Sequence, residues 1–215
     1  MFNTTLASVL TISLLQISSL TAILPEPQQV LASHTISLET RYPVKSVNEV
    51  FKDNILLTLN YLNGMPKTNK PNWNEIEKVA TYSFTLQPNE VFAFHDSVLP
   101  EYQGKIIKTT NAHFSGNEGY KSDGYLMGDG VCHLASLLNW TAKDANLYTL
   151  APTRHDFTVI PEISKEYGVS IYSFPNQPQL GVRQNLYITN NRTKPVKFEF
   201  KYDAHNLALS VTEEI

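Results

Sequence analysis

The sequence predicts an α+β fold in one domain, a mostly antiparallel sheet packed against a helix that starts at Gly130-Val131-Cys132. Three observations predict it. Val131, Leu134, Ala135, Leu138, Ala142 and Ala145 recur at helical spacing directly after Gly130, which lays an apolar stripe along one helix face. The stretches 196–202 and 207–211 alternate apolar with polar residues, the period of a half-buried strand. The composition is globular, with 42% hydrophobic, 11% aromatic and 17% charged residues, too few charges for a solvated disordered chain.

The elements follow in order along the 215 residues. No charged side chain precedes Glu26, and Leu6 to Leu24 carries twelve Leu, Ile, Val or Ala residues in nineteen. That is the length of a membrane span but is diluted by Ser, Thr and Gln. Val30-Leu31-Ala32 offers small residues of the kind a signal peptidase reads. Residues 1–32 are therefore expected to be a signal peptide or an N-terminal membrane anchor, leaving the rest of the chain outside the cytoplasm. Residues 33–78 are expected to form an N-terminal helical segment. Within it Ser46-Val47-Asn48-Glu49 has the form of a capping box, and Gly64 with Pro66 stops a helix over about 47–62.

Residues 79–215 form the main domain. Strands are expected at 79–86 and 90–94 around the turn Gln87-Pro88-Asn89, at 148–150, and at 157–160. At the C-terminal end, 185–189, 196–202 and 207–211 read as a three-stranded antiparallel meander. Between these sets lies an irregular region punctuated by Gly104, Gly116, Gly119, Gly124, Gly128 and Gly130. Long ordered loops of this kind usually carry function.

Charge and cysteine count exclude several functions. Seventeen Lys and Arg against twenty Asp and Glu give a net charge of −3, which argues against nucleic-acid binding. Cys132 is the only cysteine, so no disulfide can form within the chain and no multi-cysteine metal site can exist.

Cys132 is also the residue best placed for chemistry. As the second residue of the predicted helix it meets first-turn amides and the positive end of the helix dipole, both of which favour a thiolate. Gly128-Asp129-Gly130 allows the backbone to approach closely, as an oxyanion pocket needs. His155 lies on the chain returning after the helix and can act as base toward the thiol, with His95 and His113 as the other candidates. Asp129 or Asp156 can orient an imidazole. His133 points about 100° away from Cys132 around the helix and is expected to be partly exposed. Equally, a lone cysteine is often an inert core residue. A zinc site from Cys132, His155 and either His95 or His113 lacks any short ligand spacing, so no metal and no cofactor is expected. Tyr102, Phe114, Tyr120 and Tyr125 supply aromatic faces in the glycine-punctuated region.

These residues are similar to the VanW family. Gly128-Asp129-Gly130-Val131-Cys132-His133-Leu134-Ala135-Ser136 resembles the family's glycine-rich GGGVCQxS signature. Upstream, Leu86-Gln87-Pro88-Asn89-Glu90-Val91-Phe92-Ala93-Phe94 resembles its L-x-PGEVFSFN segment, and Gly119-Tyr120-Lys121 its GYK. Downstream, Thr153-Arg154-His155 resembles ERH, and residues 185–196 resemble DFxFxNNTxxPV. The chain departs from the pattern at Asp129 and His133, and Asp156-Phe157 follow His155 where the family's second downstream histidine is not evident. The resemblance implies an extracytoplasmic bacterial cell-envelope protein whose partner is peptidoglycan or a wall peptide, and Gly128, Gly130, Tyr120 and Lys121 as candidate binding residues. The family has no established chemistry, so two readings stay open. One is a thiol hydrolase or transpeptidase on peptidoglycan peptides, with Cys132 as nucleophile and His155, His133 and Asp129 assisting. The other is a non-catalytic wall-binding module in which Cys132 packs the core.

Overall fold

The computed structural model describes residues 28–124, 128–174 and 177–214. The chain runs β1 (Gln28–Ser37), α1 (Lys45–Leu62), a single turn α2 (Trp73–Ile76), β2 (Ala80–Leu86), β3 (Val91–Ala93), β4 (Ile106–Thr109), α3 (Val131–Asp144), β5 (Tyr148–Leu150), a single turn α4 (Pro178–Gly181), β6 (Tyr187–Thr189), β7 (Val196–Tyr202) and β8 (Asn206–Glu214). The fold is α+β, as the periodicities predict.

Two four-stranded sheets form, ordered β1-β8-β7-β2 and β4-β3-β6-β5. The first is antiparallel throughout. The second is antiparallel except where β3 meets β4. The alternation read in β7 is the one that packs: Val196, Phe198, Phe200 and Tyr202 are buried, while Lys197 and Lys201 both pair with Glu199 on the other face. Phe84 of β2 stacks on Phe198 at 4.6 Å and on Phe92 of β3 at 4.9 Å, which ties the two sheets into one core.

α3 lies against β1, β8 and β5, and α1 packs on α3 and β2. α1 is buried over most of its surface, with Ile55, Leu56, Leu57 and Leu59 fully covered. It ends as predicted at Gly64, whose φ is 90°. The Met65 amide reaches the Asn60 carbonyl and the Gly64 amide the Tyr61 carbonyl, a Schellman closure that needs the left-handed residue.

Several expectations are corrected. The three-stranded C-terminal meander does not form: β6 pairs with β3 and β5, and only β7 and β8 pair with each other. Residues 157–160 make no strand; Phe157 and Val159 are exposed, and Ile160 forms only a bridge to Ile163. Ser46 does not cap α1, which begins after Val44 without a side-chain cap. A reciprocal Ser-x-x-Glu box does occur, at Ser115 and Glu118.

Residues 1–27 of the expected leader lie outside the described residues. Its last part, 28–32, belongs to β1, which pairs with β8 from Gln28 to Ser37 around an irregularity at Val30 to Ala32. A cut after Ala32 would remove half of that strand. The segment expected to be helical over 33–78 therefore opens on sheet. No described helix is long and apolar enough to cross a membrane.

Candidate functional site

The site is built where α1 meets the start of α3. Asn54, fully buried in α1, donates to the carbonyls of Lys121 and Asp129 at 3.0 Å each and accepts the Lys121 amide at 2.9 Å. One side chain thus holds both ends of the loop that leads into α3. Gly130 caps α3 with φ 99°, and a Cβ there would sit 2.5 Å from the Phe51 carbonyl oxygen. Gly128 has φ 78°, and its Cβ would meet Phe114 at 2.8 Å. Both glycines serve backbone approach, as the sequence suggested, but the approach is to α1 and to Phe114.

Cys132 sits on the second position of α3 as predicted, and its environment is not the one expected of a nucleophile. The Ile171 amide donates to Sγ at 3.4 Å, and the thiol returns to the Ile171 carbonyl at 3.6 Å. One turn later Ser136 does the same work, accepting the Val169 amide on Oγ at 2.9 Å. Burial, opposed only in part by the Ile171 backbone and reinforced by the Asp129 charge, pushes the thiol up to about 11. Desolvation of the charged form therefore outweighs the first-turn amides. The primed thiolate expected from sequence is corrected to a neutral thiol. Alkylation by iodoacetamide should accordingly accelerate continuously from pH 7 to beyond pH 10, following the thiolate fraction. A rate that levels off below pH 8.5 would contradict this environment.

His133 is corrected from partly exposed to buried, at 5% exposure. Its ring lies edge-on to Phe51 at 5.0 Å and to His155 at 6.3 Å. Burial first, then the Arg41 charge and His155, lowers it to about 3. His155 is also buried, on an irregular segment rather than a strand, and its ring packs on Phe157 at 4.1 Å. Burial lowers its pKa too, against weaker raising contributions from the backbone and Asp156. Both imidazoles are thus neutral at pH 7, and Nδ1 of each is buried without a hydrogen-bond partner. Neither ring bonds the sulfur, whose hydrogen bonds go to Ile171.

The remaining candidates divide cleanly. Asp129 lines the cavity, but its carboxylate takes the Asp123 amide at 3.3 Å rather than an imidazole; burial raises it to about 6. Asp156 is exposed. His95 is a satisfied core residue with Nε2 2.9 Å from the Gln184 carbonyl. His113 is held between Asp96 and Glu118, at 3.1 Å from each. Tyr120 is buried with its hydroxyl 2.9 Å from Thr58, and Lys121 pairs with Asp53 and lies 3.9 Å over the Trp73 ring. Neither lines the cavity, so both are corrected from binding residues to supports of the loop. Tyr102 stacks on Tyr187 at 4.3 Å, away from the site. Tyr125 lies outside the described residues. Cys132, His155 and His95 or His113 do not converge; no group of three or more metal-ligating side chains does among the described residues.

What the fold does bring together is a cavity of about 430 Å³ that Cys132, His133, His155 and Asp129 all line. Phe51, Phe114, Val131 and Ile171 make its apolar wall. Tyr42, Phe157, Val159 and Tyr172, each at least 41% exposed, stand at its mouth. Sequence reasoning missed Arg41, a buried cation on the same wall that pairs with Glu162 at 3.0 Å and also bonds the Ser37 and Pro161 carbonyls. Nothing local in Glu39-Thr40-Arg41-Tyr42 distinguishes it from a solvated loop. No family model matches this chain, and neither does any curated protein or solved structure.

Proposed function

We propose that the protein is an extracytoplasmic cell-envelope module of the VanW type that binds a peptidoglycan peptide in this cavity without thiol chemistry. The observation that carries the reading is the pair of buried, neutral imidazoles, His133 and His155, on the wall of one cavity whose sulfur is neutral as well. A neutral imidazole both donates and accepts, so rings on the cavity wall can hydrogen-bond a ligand amide with no change of charge. The motif resemblance and the leader-like start of the sequence support the envelope location. The sulfur supports the non-catalytic side of the reading, because it acts as a backbone acceptor in series with Ser136.

A thiol hydrolase is the second reading, and one observation favours it: Cys132 and His155 line the same cavity. Calorimetry with a purified stem tetrapeptide separates the two. The full chain is expected to bind it, and Cys132→Ser to bind within about twofold, since serine keeps an acceptor for Ile171. His133→Leu should weaken binding about tenfold, the worth of one buried hydrogen bond. Cleavage of the peptide by the wild type that Cys132→Ser abolishes would replace binding with catalysis.

A further inference from the structure

The segment 169–173 hydrogen-bonds in strict alternation. Val169 and Ile171 donate to side chains of α3, Ser136 and Cys132. Ser170 and Tyr172 donate the opposite way, to the carbonyls of Thr153 and Gln184. Burial alternates with it: Val169, Ile171 and Ser173 are buried, and Tyr172 is exposed. This is the two-residue period of a strand edge, with helix side chains standing in for a neighbouring strand. The helix supplies those acceptors one turn apart, at 136 and 132. The next step back is Gly128, which precedes the start of α3 and has no side chain.

The ladder therefore runs out at Ser173. Its N–H and C=O make no hydrogen bond among the described residues, although Ser173 is only 6% exposed. Buried backbone groups are almost always paired. Ser173 also lines two cavities at once, the one described above and a neighbouring one of about 760 Å³ lined by Asp96, Val98 and Phe174. His113 is the other residue common to both, so Ser173 and His113 stand on the boundary between them.

We infer that the ligand is an extended peptide added as a strand at Ser173, its backbone taking the free N–H and C=O there while its chain passes from one cavity into the other. This rests on the peptide-binding reading above and gives it a geometry. Main-chain pairing supplies the affinity and the flanking pockets select side chains, as in strand addition generally. An apolar side chain enters the pocket walled by Phe51, Phe114 and Val131. A polar or cationic one lies beside Asp96, whose carboxylate is partly exposed.

The test uses the full chain and a peptidoglycan stem tetrapeptide, with copies N-methylated at one backbone amide at a time. One methylated copy should bind about tenfold more weakly and the rest within twofold of the parent, the signature of a single amide paired with the Ser173 carbonyl. Ser173→Pro removes the N–H and should lose binding while circular dichroism stays native. Should Ser173→Pro fail to fold, the methylation series decides alone. Equal binding of all copies overturns strand addition and leaves the binding reading standing. No binding of the tetrapeptide, with binding of wall glycan strands instead, overturns the peptide altogether. No binding of either removes both readings.

Discussion

Gly130→Ala is expected to destabilise the protein by about 3 to 5 kcal/mol. Two costs coincide there. A φ of 99° is a conformation that side chains rarely adopt, worth about 1 to 3 kcal/mol of strain. The added Cβ would also lie 2.5 Å from the Phe51 carbonyl and 2.9 Å from its Cα. Those atoms belong to α1, whose buried face leaves it no room to retreat. Gly64→Ala is the control. Its φ of 90° carries similar strain, but nothing lies within 4 Å of the new Cβ, so about 1 to 2 kcal/mol is expected. Guanidinium melts of the two variants measure the difference. Equal losses would mean that α1 does not press on the start of α3, and the cavity would have no rigid wall.

Acid is expected to destabilise the protein progressively as pH falls below 6.5. His133 is lowered from 6.5 to about 3 by burial and by the Arg41 charge. Between those values the unfolded chain binds a proton at this position and the folded protein does not. The stability it contributes is complete above pH 6.5 and is lost as pH falls toward 3. The loss is about 3 kcal/mol by pH 4.5 and about 4 to 5 kcal/mol at the limit. His155, also lowered by burial, acts in the same direction. Asp129 acts against them: raised to about 6 by burial, it takes up its proton in the folded state first and recovers part of the loss between pH 6 and 4. Urea melts at pH 7.0 and 4.5 should show the net fall. His133→Phe keeps the ring contacts with Phe51 and His155 and should flatten the profile. An unchanged profile in that variant would place the acid-sensitive group elsewhere.

Much of the fold was legible because its strongest elements pair local pattern with burial. β7 alternates, and its alternate residues are those that pack. α3 carries its stripe directly after a glycine that caps it. β1 was not legible, because it is an edge strand with mostly exposed residues at its start and an irregularity between Val30 and Ala32. Its residues therefore lack the clean alternation that marks a half-buried strand. The partner of β6 was misread for a different reason. A short strand followed by the turn at 190–193 suggests a hairpin with the next strand, yet Asn190 instead bonds the Leu86 and Lys194 carbonyls and turns the chain into the other sheet.

By itself the sequence determined the class of fold, the helix that begins at Val131, and the place of Cys132 in its first turn. Periodicity and glycine positions are local properties, and they survive being read along the chain. Only the tertiary structure decided what that place is like. The states of the thiol and of His133 depend first on how deeply the surrounding chain buries them, and the open backbone of Ser173 on where α3 happens to begin. Burial and charge act through space between residues far apart in sequence, so a feature at the tip of a helix could suggest an anion while the packing around it held the sulfur neutral.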